Sequence, residues 1–157
     1  MSNESERQRV IFVCTHNSAR SQMAEGMLRA WGGDRFEAFS AGTEATRVRP
    51  EAVAVMGEIG VDIGSHASKT LEPFLGESFA WLITVCDQAR EACPTIPGVR
   101  QQAHWSIDDP SAVDGDEEVR LAAFREARDR LRDRVHMFIL AAGRDDLPQP
   151  EPTRIGI

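Results

Sequence analysis

Val10-Ile11-Phe12-Val13-Cys14-Thr15-His16-Asn17-Ser18-Ala19-Arg20 is the stretch whose reading decides the fold. Its apolar run does not alternate with polar residues, so it reads as a strand buried on both faces, the habit of a parallel sheet. Met23, Ala24, Met27, Leu28 and Trp31 then recur on one helical face, and Gly32-Gly33 stops that helix. Strand, tight loop and helix make the first part of a βα unit. A cysteine ends the strand, and an arginine stands six residues later at the helix start. That spacing lets the backbone between them curl into a cradle whose N–H groups face one tetrahedral oxyanion. The helix dipole and Arg20 add positive potential, which favours Cys14 as the thiolate, the form that attacks.

Outward from this unit, short apolar runs alternate with helical patterns, the signature of an α/β fold with a parallel sheet. Phe36–Ser40 is the predicted second strand. Pro50 opens a second helix with Val53, Met56 and Ile59 inward and Gly60 as its stop. Phe79–Val85 is the predicted third strand, and Ala103–Ser106 a shorter fourth. A last helix starts near Asp116-Glu117-Glu118, acids suited to a helix N-terminus. It runs through Leu121, Phe124, Leu131, Val135 and Phe138 to Gly143. These elements bound one domain over 9–143, after a flexible N-terminus at 1–8 and before a proline-bearing tail at 144–157 expected to be disordered. In such sheets the ligand sits at the carboxyl edge, where strand order reverses. If strands one and three are neighbours, Cys14, Cys86 and Asp108-Asp109 converge there.

Composition narrows the function. The 157 residues carry a net charge of -7, which argues against a nucleic-acid partner, since phosphate backbones need a basic face. No apolar run approaches transmembrane length, and Met1 to Arg9 is too polar for a signal peptide. A cytoplasmic protein with no membrane partner is expected. In that compartment three cysteines read as catalytic or metal-binding before they read as structural disulfides. Cys86 and Cys93 fail as a metal pair, because their spacing is wrong and no clustered His or Cys completes four ligands. Cys86 could be buried filler; Cys93, beside charge and Pro94, suits that less. As a redox pair across a short helix, the two sulfurs would lie roughly 10 Å apart along its axis. A disulfide needs Cα atoms within about 7 Å, so the segment would have to unwind to form one.

Within the loop, Asn17 suits a left-handed backbone position, and Ser18 and Ser21 can donate hydroxyl hydrogen bonds toward sulfur or anion. The expected cradle is Thr15, His16, Asn17, Ser18, Ala19, Arg20 and Ser21, with the His16 side chain at the rim and without a role of its own. Asp109 precedes a proline, which favours extended backbone in a loop.

Val13-Cys14-Thr15-His16-Asn17-Ser18-Ala19-Arg20-Ser21-Gln22-Met23-Ala24-Glu25-Gly26, Ser40-Ala41-Gly42-Thr43 and Asp109-Pro110 resemble the low-molecular-weight protein tyrosine phosphatase superfamily. Thr84-Val85-Cys86-Asp87-Gln88-Ala89-Arg90-Glu91-Ala92-Cys93-Pro94 and His104-Trp105-Ser106-Ile107-Asp108-Asp109-Pro110 are similar to the arsenate reductases built on that fold. The phosphatases carry tyrosines just after Asp-Pro; here Ser111-Ala112 follow, and the chain has no tyrosine. The resemblance implies a doubly wound four-stranded parallel sheet flanked by helices. It implies a nucleophile Cys14, an anion clamp Arg20, a general acid Asp109, and a redox relay through Cys86 and Cys93. Ser40 is expected to support the loop from below, and Asp108 to be structural. The substrate implied is arsenate, with phosphate or sulfate as analogues. The reductant implied is thioredoxin, or glutaredoxin with glutathione, and no cofactor is expected in the protein itself. Some thioredoxin-coupled members hold a monovalent cation beside the loop with an acidic residue near position 69. A lysine at 69 can supply positive charge itself, so no metal is expected; the simpler reading of Lys69 is an exposed lysine after the Gly64–Ser68 turn. Two other readings remain: a phosphatase that uses Cys14, Arg20 and Asp109 and needs neither later cysteine, and a redox-sensing or partner-binding protein that uses the fold without turnover, against which the intact Cys14-to-Arg20 motif and Asp109-Pro110 argue.

Overall fold

The computed structural model describes residues 7–87 and 96–142. Four strands, β1 (Gln8–Cys14), β2 (Phe36–Gly42), β3 (Phe79–Thr84) and β4 (Val99–His104), form one parallel sheet in the order β2-β1-β3-β4. The helices are α1 (Arg20–Trp31), α2 (Pro50–Gly57) and α3 (Glu117–Ala142). Strands β1 and β3 are neighbours, with Val13 opposite Thr84, so the chain reverses direction of winding between them. That switch point sits at the carboxyl ends of both strands, where such sheets bind ligands.

β1 is central, and its five residues from Val10 to Cys14 are buried, which is why the run shows no alternation. Val10, Phe12 and Cys14 join the larger core with all three described helices. Ile11 and Val13 join a smaller core with Leu82 and Ile96, against which Phe74 and Leu71 pack. Met23, Ala24, Met27 and Leu28 are the inward face of α1. In α3, Phe124, Leu131, Val135 and Phe138 are buried as their spacing requires. The Asp116 carboxylate accepts from the Val119 N–H at 3.0 Å, capping the helix start. The stop expected at Gly143 and the tail beyond it lie outside the described residues, as does the segment between Asp87 and Ile96.

Two expectations needed correction. The fourth strand is Val99–His104, not Ala103–Ser106. Its Val-Arg-Gln-Gln-Ala-His sequence is too polar to be read as a strand, because it lies at the sheet edge and only Ala103 is buried. In α2 the buried residues are Ala52, Val55 and Met56; Val53 and Ile59 pack only partly against the core. The helix ends at Gly57, and the chain turns through Gly60 at φ 79°. Glu58, just past the helix, receives Arg125 twice at 2.8 and 3.1 Å on one oxygen and Arg128 at 2.8 Å on the other, which ties α2 to α3. Those hydrogen bonds hold the Glu58 carboxyl down at about 2. Among the described residues no helix is long and apolar enough to cross a membrane.

Candidate active site

The loop between β1 and α1 is shaped from outside. Thr15 offers its carbonyl to the Glu44 N–H at 3.0 Å and the Thr43 hydroxyl at 3.1 Å. The His16 carbonyl takes the Ser68 hydroxyl at 3.1 Å, and the Ser18 carbonyl takes the Arg49 N–H at 2.9 Å. In a trans peptide C=O and N–H point to opposite sides, and no cis bond is present among the described residues. With three carbonyls held outward, the N–H groups of His16, Asn17 and Ala19 are turned to the other side. Asn17 adopts φ 50°, the left-handed position its side-chain type tolerates. Gly42 closes the arrangement. A Cβ there would meet the carbonyl oxygens of Thr15 at 2.6 Å and Cys14 at 2.8 Å, so β2 can approach the loop only as glycine. Helix α1 starts with no side-chain cap and no acid in its first turn, which leaves its positive end to the loop.

Cys14 lies at the floor with 2 % of its surface exposed, and its Sγ is 2.9 Å from the Ser21 hydroxyl. Arg20, 3 % exposed, donates to the Ile107 carbonyl at 3.0 Å, and its other terminal nitrogen lies 3.7 Å from the Asp109 carboxylate. Arg20 therefore joins the cradle to the acid loop. Asp109 has the extended backbone expected before Pro110 (φ -76°, ψ 108°), and its other oxygen accepts from the Ser111 N–H at 2.9 Å. A quarter of its side chain remains open to solvent, while its neighbour Asp108 is exposed.

Cys86, two residues past β3, is fully buried, with Sγ 3.9 Å from the Val13 carbonyl. Val13 immediately precedes Cys14, so the pairing of β1 with β3 carries the second cysteine to the residue next to the first. Both are free thiols. Cys93 lies outside the described residues.

Ser40 has a different partner from the one expected. It pairs in register with Phe12, two residues short of Cys14, so its hydroxyl meets α1 and donates to the Glu25 carboxylate rather than to the loop. Glu25 is 4 % exposed and also receives Arg29 at 2.5 Å. Lys69 stands 3.9 Å from the same carboxylate and donates to the Ala67 carbonyl at 2.8 Å. Burial pushes the Lys69 ammonium below the usual lysine value, and Glu25 opposes that shift. Among the described residues no group of His, Cys, Asp or Glu is placed to hold a metal ion.

Several residues that shape the site gave no signal in the sequence. Thr43, Ser68 and Arg49 act on the loop through its carbonyls, from segments distant in the chain. Gln22 is a polar residue on a helix, ordinarily solvent-facing, yet it is fully buried with its amide nitrogen on Asn17 Oδ1 at 2.9 Å. The close recurrence of Ser21, Gln22 and Glu25 was the available hint.

The profile of the low molecular weight phosphotyrosine protein phosphatase family matches residues 9–147. An arsenate reductase of Halalkalibacterium halodurans is 40 % identical over 129 residues, covering 82 % of this chain and 93 % of that protein. A solved arsenate reductase in the phosphate-binding state superposes with a TM-score of 0.73 at 32 % identity, over 85 % of this chain and 97 % of its own. A thioredoxin-dependent arsenate reductase of Corynebacterium glutamicum matches with a TM-score of 0.60 at 26 % identity, over 87 % of this chain and 63 % of its own.

Proposed function

We propose that this chain, a member of the low molecular weight phosphotyrosine protein phosphatase family, reduces arsenate to arsenite through Cys14, Cys86 and Cys93. The observation that carries the reading is the placement of the buried Cys86 thiol against the residue preceding Cys14. A phosphatase has no use for a second thiol there, and a protein without turnover has no use for Arg20 and Asp109 besides. The arsenate reductases among its relatives support it, at 40 % identity in the first compared.

The chemistry runs as a chain of displacements at sulfur. The Cys14 thiolate attacks arsenic(V) held by Arg20 and the loop N–H groups. An As–O bond breaks as Asp109 gives the leaving oxygen its proton, and water departs. Cys86 then attacks the Cys14 sulfur: an S–S bond forms, the S–As bond breaks, and its electron pair stays on arsenic, which leaves as arsenite. Cys93 attacks Cys86, moving the disulfide to Cys86–Cys93 and freeing the Cys14 thiolate. An external dithiol then takes up the disulfide. Thioredoxin is the reductant favoured, on the strength of the thioredoxin-dependent relative; glutaredoxin with glutathione is the alternative. Phosphate and sulfate match arsenate in shape and charge and would compete for the cradle.

The experiment supplies reduced thioredoxin and glutaredoxin systems separately, with arsenate, and follows oxidation of each. Arsenate-dependent turnover with thioredoxin, well above the rate of aryl-phosphate hydrolysis, is the expected outcome. Aryl-phosphate hydrolysis with no arsenate-dependent oxidation in either system would make the chain a phosphatase.

Asp109→Asn keeps the shape of the acid but has no proton to give. Single-turnover formation of the arsenic adduct should slow by about 10²–10⁴-fold, while arsenate affinity holds or improves as a nearby negative charge is lost. An unchanged single-turnover rate would pass the role to another group, with Asp108 the first candidate.

A further inference from the structure

We propose that Glu51 is a positioning residue for the general acid, fastening the exit of the acid loop to the segment that shapes the anion cradle. The inference rests on the reading of Asp109 as the proton donor. Three side chains from separate parts of the chain make the tie. Arg49 donates to the Glu51 carboxylate through Nε at 3.3 Å and Nη2 at 3.4 Å. Arg120 of α3 donates to the same carboxylate through Nε at 3.3 Å and places Nη1 on the Gly115 carbonyl at 2.7 Å. At the other end of the tie, the Arg49 N–H is the group that holds the Ser18 carbonyl outward.

The acid loop is thereby gripped at both ends. At its entrance Arg20 donates to the Ile107 carbonyl, and at its exit Arg120 takes the carbonyl of Gly115. Asp116, next after Gly115, caps α3, so the loop exit and the first turn of that helix move as one piece. Glu51 fastens this piece to Arg49. Between Asp109 and Gly115 the chain has little slack. Pro110–Ala112 form a short 3₁₀ turn, closed by the Ala112 N–H on the Asp109 carbonyl at 3.1 Å and the Val113 N–H on the Pro110 carbonyl at 3.3 Å. A displacement of Gly115 is therefore carried back to Asp109, and proton transfer to a leaving oxygen tolerates little misplacement of the donor.

Burial and charge fit Glu51 for this place. Its side chain is 13 % exposed, and both arginines are more open to solvent. Burial by itself would raise the affinity of the carboxyl for a proton. Hydrogen bonds from Arg49, from its own N–H and from Arg120 outweigh this and hold the group below the usual glutamate value. It stays an anion with an acceptor for each guanidinium. A glutamine has one acceptor oxygen and an NH₂ that can only donate, as a guanidinium does, so Glu51→Gln breaks one half of the tie at unchanged size. The bond to Ser18 is made by the Arg49 main chain and does not depend on the carboxylate.

The test is a double-mutant cycle with Asp109→Asn, read as single-turnover formation of the arsenic adduct and, separately, as the affinity for inorganic phosphate. Glu51→Gln alone should slow adduct formation about tenfold, with phosphate affinity within about twofold of wild type. In the Asp109→Asn background no proton is left to place, so adding Glu51→Gln should change the rate by less than about twofold. Arg120→Met breaks the tie from its more exposed side and should match Glu51→Gln, and the two together should be no slower than either alone. A wild-type rate in Glu51→Gln or in Arg120→Met, an equal loss in both backgrounds, or a phosphate affinity that falls with the rate would overturn the proposal. Asp109→Asn at the wild-type rate would instead remove Asp109 as the acid, and with it the reading beneath the proposal.

Discussion

Cys14→Ser is expected to lose arsenate turnover and any aryl-phosphate hydrolysis together, by about 10⁴–10⁶-fold, the scale on which other enzymes miss an activated nucleophile. The reason lies in the floor of the cradle. A serine hydroxyl keeps its proton at neutral pH, and the group hydrogen-bonded to this position among the described residues is the Ser21 hydroxyl, itself fed by Asn17, which is no base. The arginine, the loop and Asp109 would remain in place, so anion binding should survive. That separates a lost nucleophile from a collapsed site: a phosphate or arsenate titration of the variant should give an affinity near wild type. Turnover within a few-fold of wild type would show that another group attacks.

Cys86→Ser divides the two enzymatic readings. Arsenate turnover should fall to background, since the arsenic on Cys14 then has no thiol to take its place. Aryl-phosphate hydrolysis, however weak, should persist, because water can open a cysteinyl phosphate without Cys86. Cys86 is buried and packed beside Val13, and serine is slightly smaller, so the fold should tolerate the change; a thermal melt checks this. Equal loss of both activities at an unchanged melting temperature would mean that Cys86 shapes the site rather than accepts the sulfur. Cys93→Ser should stop one step later, after a single turnover, with a Cys14–Cys86 disulfide identifiable by mass mapping. Arsenate reduction by both serine variants at the wild-type rate, with thioredoxin as electron source, would dismiss the relay.

The parts of the molecule that proved legible are those where local chemistry leaves one choice. An unalternating run such as Val10–Val13 has no exposed face and must be central. Asn17 tolerates a left-handed backbone, and it has one. Asp109 before proline must be extended, and it is. Strand β4 was displaced because edge position, not apolar patterning, defines it. Ser40 was assigned to the loop by its place in a motif, whereas strand register decides where a side chain arrives, and two residues of register separate it from Cys14. The contacts of the buried Gln22 with His66 and with Asn17 of the loop leave no mark in the sequence. His66 and Gln22 are 44 positions apart, and their pairing appears only when the segment after α2 folds back across α1. Long-range polar networks leave no period in the sequence. They show themselves as buried polar residues once the fold is known.

The central claim is that two electrons pass from this chain's own thiols to arsenic. Fully reduced protein, freed of all external thiol, should be mixed with excess arsenate, and arsenite and remaining thiols counted. The account predicts close to one arsenite per chain, loss of two thiols, and a disulfide mapped to Cys86 and Cys93 with Cys14 free. No arsenite, with every thiol still reducing, would contradict it.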